Sequence, residues 1–133
     1  MKILIINCGS SSLKFSLFNC GKECIEMAVG HIDRIGFKNT KFTFQSKQYN
    51  LGLTIKCKSH SEAINIATKT LINSKIIKNL SEINYISHRV VHGGEKYKKA
   101  TLIDKTTIRD IEKFSRLAPL HNPINLEGIK ACK

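Results

Sequence analysis

Two apolar stretches, ILII (3–6) and LKFSLF (13–18), stand six residues apart at the start of the chain, joined by NCGSSS (7–12). A glycine followed by three serines can be a flexible linker, but a linker needs a domain on each side. Only Met1 to Ile6 precede this one. The six residues therefore read as the tight connection of a β-hairpin, which obliges the chain to build a sheet from its first residues. The unbroken run ILII is the mark of a strand buried on both faces. Leu13, Phe15 and Leu17 alternate with Lys14, Ser16 and Phe18, which gives a second strand.

The alternation continues through Ile25, Met27 and Val29. Phe42 with Phe44, then Leu51, Leu53 and Ile55, suggest a further hairpin around residues 46–50. Residues 1–57 thus read as a β-meander. The period then changes. Ser59 with Glu62 makes a capping box, and His60, Ile64, Ala67 and Leu71 follow at helical spacing. INYISHRVV (83–91) reads as a strand closed by Gly93 and Gly94. Residues 106–116 form a second helix with Ile108, Ile111 and Phe114 on one face. Asn122-Pro123 opens a third, with Asn122 as N-cap and proline in the first turn. That helix reaches Ala131-Cys132-Lys133 without a glycine stop, so the chain reads as breaking off rather than finishing. Residues 58–133 are an α/β segment, and no repeat or low-complexity stretch interrupts it.

At 133 residues the length is that of one domain, and 41% hydrophobic content argues against disorder. No apolar run approaches the ~18 residues of a membrane span, and ILII is too short for a signal-peptide core. The default is a cytoplasmic protein with no membrane partner. Five cysteines, at 8, 20, 24, 57 and 132, make an odd count, which without an export signal argues for free thiols. Cys20 and Cys24 are spaced loosely like half of a zinc site, yet no matching pair follows. Lys and Arg number 22 against 10 Asp and Glu, a net charge of +12. The lysines are scattered rather than massed, and Lys, Ile and Asn are all abundant, as an A/T-rich genome produces. Such a surface favours anionic ligands without making the chain a nucleic-acid binder.

Three segments carry candidate chemistry. In NCGSSS, Gly9 can take φ > 0 and the following amides and hydroxyls can converge on phosphate oxygens; an ordinary serine-rich turn would look the same. It is not a P-loop, because Lys14 stands where the second glycine belongs and a strand follows. The hydrolase elbow G-x-S-x-G is absent. In SHRVVHGGEKY (87–97), Arg89 and Val91 share a strand face. A guanidinium beside a small apolar wall suits a short carboxylate with a short tail, although a surface salt bridge would also use the arginine. His88 and His92 would lie ~13 Å apart along a strand, too far to share a metal ion. In LAPLHNPINLEG (117–128), His121 stands before a helix N-terminus, whose free amides attract anions, or else plays a structural part in its loop.

Taken together and in this order, ILIINCGSSSLKFSLF, SHRVVHGGEKY and LAPLHNPINLEGI resemble the N-terminal motifs of the acetate kinase family, over the whole length of the chain. The resemblance implies an α/β fold of the actin-like, sugar-kinase and Hsp70-type ATPase (ribonuclease H-like) class: two similar lobes around an ATP cleft, each on a mixed sheet with flanking helices. It implies phosphoryl transfer from ATP to acetate, giving acetyl phosphate and ADP, with Mg²⁺. By motif position, Asn7 would help hold the Mg²⁺ site, and Ser10, Ser12 and Lys14 would face the phosphates. Arg89 would hold the acetate carboxylate or the transferring phosphoryl group. Val91 and Leu120 would line the methyl pocket, and His121 would lie close to the transferred group. Propionate and butyrate kinases share the architecture, and the family's full-length members are expected as homodimers. The departure is length: family chains run to several hundred residues, and this one corresponds to the N-terminal lobe only. The catalytic aspartate, a further histidine and arginine, the adenosine-binding segments and the second lobe are missing from it. Turnover by these 133 residues alone is therefore not expected, and a remnant that binds anions or a partner without turnover is the rival reading.

Overall fold

The first hairpin forms as its spacing requires. β1 (Lys2–Cys8) and β2 (Ser12–Cys20) pair antiparallel, with Asn7 opposite Lys14 and Cys8 opposite Leu13. A computed structural model describes residues 1–133. β3 (Cys24–Asp33), β4 (Thr40–Ser46) and β5 (Asn50–Ile55) continue the antiparallel meander. The chain then crosses the sheet through helix α1 (His60–Asn73) and a 3-10 turn at Leu80–Glu82, and adds β6 (Ile83–His88) parallel to β1. The strand order is β5-β4-β3-β2-β1-β6, a mixed sheet. Helices α2 (Lys105–Phe114) and α3 (Asn122–Ala131) follow.

Both α1 and α3 pack on one face of the sheet. Leu4, Ile6 and Cys8 of β1, Leu13, Phe15 and Leu17 of β2 and Ala28 and Ile32 of β3 point to that face, where they meet Ala63, Ile64, Ala67 and Leu71 of α1. Each fully buried Leu, Ile or Phe here contributes roughly 1.5–3 kcal/mol. Phe15 and Phe44 lie over Gly30, which stands between them in the register, with ring centroids 6.2 Å apart. The alternate residues, including Ile5, Asn7, Lys14, His31 and Thr43, face away from the helices. The expectation that β1 is buried on both faces is thereby corrected: Ile5 is 42% exposed, because neither α1 nor α3 reaches its side of the sheet.

Local signals resolve in three further ways. Ser59 caps α1, its hydroxyl accepting from Glu62 N, but the Glu62 carboxylate accepts from Lys58 N rather than from the cap residue itself. The N-cap of α3 is His121, not Asn122, whose side chain is turned into the interior. Cys20 and Cys24 are not free thiols. They stand directly opposite in the β2–β3 register, with Cα atoms 4.0 Å apart, and form a disulfide. Register brings them together whatever the total count; Cys8, Cys57 and Cys132 remain free.

Candidate anion-binding site

The serine loop is fixed through its backbone. Gly9 N donates to Ser12 O at 2.8 Å, and Ile35 N, from the turn after β3, donates to Ser11 O at 2.8 Å. From α1, the buried His60 places Nε2 2.7 Å from Gly9 O and 3.2 Å from Ser12 O. Both partners are carbonyls, so Nε2 carries the hydrogen and donates to the two of them. The loop's carbonyls are thus held from behind, while Ser10 and Lys14 are exposed. The sequence reading of Gly9 needs correction. Gly9 is not among the positive-φ residues; its lack of a side chain matters because a Cβ there would stand 2.6 Å from Ser12 Oγ.

The sheet register then lines up three of the sequence candidates. Lys14 stands opposite Asn7 on one side. On the other, His88 pairs with Ile6, and Arg89 N donates to Ile6 O at 3.2 Å, which brings Arg89 beside Asn7. With strands 4.7–4.9 Å apart, Lys14 and Arg89 flank Asn7 with their Cα atoms about 10 Å from each other. All three belong to the set that points away from α1 and α3. Two exposed cations on either side of a carboxamide make a compact seat for an anion with several oxygens.

Beyond Arg89 the structure departs from the expected strand. β6 ends at His88 rather than at residue 91. Val91 N and His92 N find side chains instead of a neighbouring strand: Val91 N donates to Asn125 Oδ1 and His92 N to Asn122 Oδ1, both at 3.1 Å. Asn122 Nδ2 returns a bond to His92 O at 2.8 Å, and Asn125 Nδ2 donates to Cys8 O at 3.0 Å. Burial still alternates, with Val90 packed on Ile111, Leu126 and Ile129 while Arg89 and Val91 stay exposed. Gly94, at φ 63°, turns the chain onto α2, where a Cβ would meet the Phe114 ring at 2.7 Å.

His121 is exposed, one residue before the Asn122 that grips His92, so it belongs to the same corner as Val91. Val91 and Leu120 are 46% and 74% exposed, two uncovered apolar side chains on the motifs that flank the row of cations. Burial keeps His88 below the ordinary histidine range and pushes the Cys8 thiol up to about 12, so Cys8 is a packing residue and not a nucleophile. Asn7 offers one carboxamide oxygen, and nowhere does the chain gather three His, Cys, Asp or Glu side chains that could hold a metal. Sequence reading missed His60, Asn122 and Asn125 as site supports. His60 registered only as a helical spacing position, Asn122 only as a helix cap, and nothing local marks Asn125.

The model of the acetokinase family matches residues 2–133. The chain belongs to the acetokinase family. It is 44% identical over 135 residues to the acetate kinase of Clostridium novyi (strain NT), covering 100% of this chain and 33% of that protein. With the acetate kinase of Bacillus mycoides (strain KBAB4) it shares 46% identity over 130 residues, 98% of this chain and 32% of the other. Among solved structures, the Porphyromonas gingivalis acetate kinase superposes with a TM-score of 0.90 at 34% identity. A propionate kinase from Francisella tularensis subsp. tularensis SCHU S4 gives 0.87 at 35%. Both superpositions cover 98% of this chain and 33% of the other. The fold is accordingly that of an actin-like ATPase lobe, and the acetokinase chain described here spans about a third of the length of the curated relatives it matches. No helix of this acetokinase chain is long and apolar enough to cross a membrane.

Proposed function

We propose that the chain forms the anion-binding wall of an acetate kinase, ATP + acetate giving acetyl phosphate + ADP, as the N-terminal lobe of a two-lobed cytoplasmic enzyme that works as a homodimer. The observation that carries this reading is the row Lys14–Asn7–Arg89 beside a serine loop clamped from behind. A carboxylate oxygen of acetate attacks the γ-phosphorus in line; the new O–P bond forms as the bond to the β–γ bridging oxygen breaks, and ADP leaves with that electron pair. Acetate is already ionised, so no strong base is required. The task of the protein is to hold two anions together and offset charge on the equatorial oxygens.

Each residue has a part in that task. Ser10, Ser12 and Lys14 hold the ATP phosphates. Arg89 grips the carboxylate or the transferring phosphoryl group through two nitrogens, where a lysine would offer a point charge. His121 donates to the transferred group, and Val91 and Leu120 enclose the methyl group. Mg²⁺, when bound with the nucleotide, neutralises phosphate charge; Asn7 would add one oxygen to its shell, consistent with an ion that keeps phosphates and waters as its other ligands. A roomier Val91–Leu120 wall would favour propionate or butyrate.

The test is acetyl phosphate formation trapped with hydroxylamine. The purified chain alone, with excess Mg-ATP and acetate, should give no turnover. Adding the remaining two-thirds of a relative in trans should restore it, and an Arg89→Ala chain should restore at most about a hundredth as much. Propionate and butyrate in parallel reactions rank the acyl preference. Turnover by the chain alone within tenfold of an intact acetokinase would overturn the one-wall reading, and no restoration in trans would favour the non-catalytic remnant.

A further inference from the structure

Asn122 and Asn125 lie one turn apart on α3, 0% and 2% exposed, among the most deeply buried residues of the chain. A buried carboxamide carries a heavy desolvation cost unless it is bonded. Both are bonded at each end, and every partner is main chain of the segments that carry the site. Asn125 bridges Val91 N and Cys8 O, across 34 and 117 residues of sequence. Asn122 takes both the N–H and the C=O of His92, as a neighbouring strand would. These bonds begin where the sheet ladder stops, two residues after Arg89 N makes its bond to Ile6 O.

We propose that Asn122 and Asn125 are positioning residues that set where Arg89 and Val91 stand relative to the serine loop. Arg89 lies between the final ladder bond and the Val91 bond, so its backbone is pinned on both sides. Cys8 immediately precedes Gly9, so the Asn125 carboxamide ties the start of the anion loop and the arginine segment to one side chain. Loss of either carboxamide leaves the hairpin intact and frees the 89–92 segment, because β1 pairs with β2 independently of α3. The proposal rests on the reading of Arg89 as an anion contact, and its test separates the two.

The experiment uses the purified chain, isotopically labelled, with inorganic phosphate as probe and amide and Arg89 Nε–H resonances as readout. Asn125→Ala and Asn122→Ala delete both the acceptor that holds Val91 N or His92 N and the donor that reaches Cys8 O or His92 O. Hydrogen exchange at Val91 and His92 should accelerate by about tenfold or more in each variant, with β3 and β4 amides unchanged. Phosphate should perturb Arg89 in the unsubstituted chain, with apparent affinity at Arg89 falling about tenfold in Asn125→Ala while shifts at Ser10 and Lys14 persist. Unchanged exchange at Val91 and His92, or equal loss of phosphate response at Arg89 and Lys14, overturns the positioning role. So does collapse of the whole sheet in both variants, which would make these residues determinants of folding alone. No phosphate response at Arg89 in the unsubstituted chain, with accelerated exchange in the variants, overturns the anion-contact reading and with it the functional half of the proposal.

Discussion

His60 shows how much one side chain can hold in place. Its Nε2–H supplies two carbonyls of the serine loop from a buried position. Removing the shared donor strips Gly9 O of its partner, while Ser12 O keeps the bond from Gly9 N, a cost of about 1–3 kcal/mol. His60→Ala should lower the urea-unfolding free energy by that amount, and His60→Gln should recover part of it; equal stability of all three chains would refute the clamp. His88 acts through its charge state. Burial lowers its pKa below the ordinary 6.5, so between the folded and unfolded values the unfolded chain binds more protons than the native one. Its contribution is complete above about pH 6.5 and is lost as pH falls through the lower folded value. Urea midpoints measured from pH 7.5 to 5 should fall more steeply for the natural chain than for His88→Gln. Parallel slopes would show that His88 does not carry the effect.

The strands owe their register to a few obligatory fits. At Gly30 a Cβ would overlap the Phe15 ring, which is itself stacked on Phe44. Gly30→Ala should therefore cost about 2–3 kcal/mol, and Phe15→Leu should return part of it in the double variant, read from thermal or urea melts. Additive losses would mean that the ring has room to move. The meander and α1 were legible because each is encoded by neighbours in sequence: alternation from Leu13 to Ile55, then Ser59 and the i, i+4 apolar spacing. The serine loop was legible for the same reason. Arg89 and Val91 were found as candidates through their motif, but their backbone was misread as strand. The partners that end the strand are Asn122 and Asn125, more than 30 residues downstream, and a carboxamide standing in for a strand leaves no periodic trace. The Cys20–Cys24 bond escaped for a related reason, since cysteine counting ignores which residues a hairpin sets face to face.

At the level of the whole molecule, the sheet joins a local part to a distant one. β1 to β5 pair with sequence neighbours, whereas β6 returns to β1 only after α1 has crossed from one edge to the other. Lys14 and the serine loop belong to the local part; Arg89 arrives with β6, and its final bonds wait for α3, which lies at the end of these 133 residues. The edge-to-edge crossing has a consequence in time. Local hairpins close before pairings that must first gather a long loop, so half of the anion seat forms early and the other half last. In pulse-labelled refolding, amides of β2, β3 and β4 should gain protection before those of Val91 and His92, and simultaneous protection would contradict that order. On a ribosome the same sequence of events means that the serine loop emerges and folds while the arginine that faces it is still being synthesised.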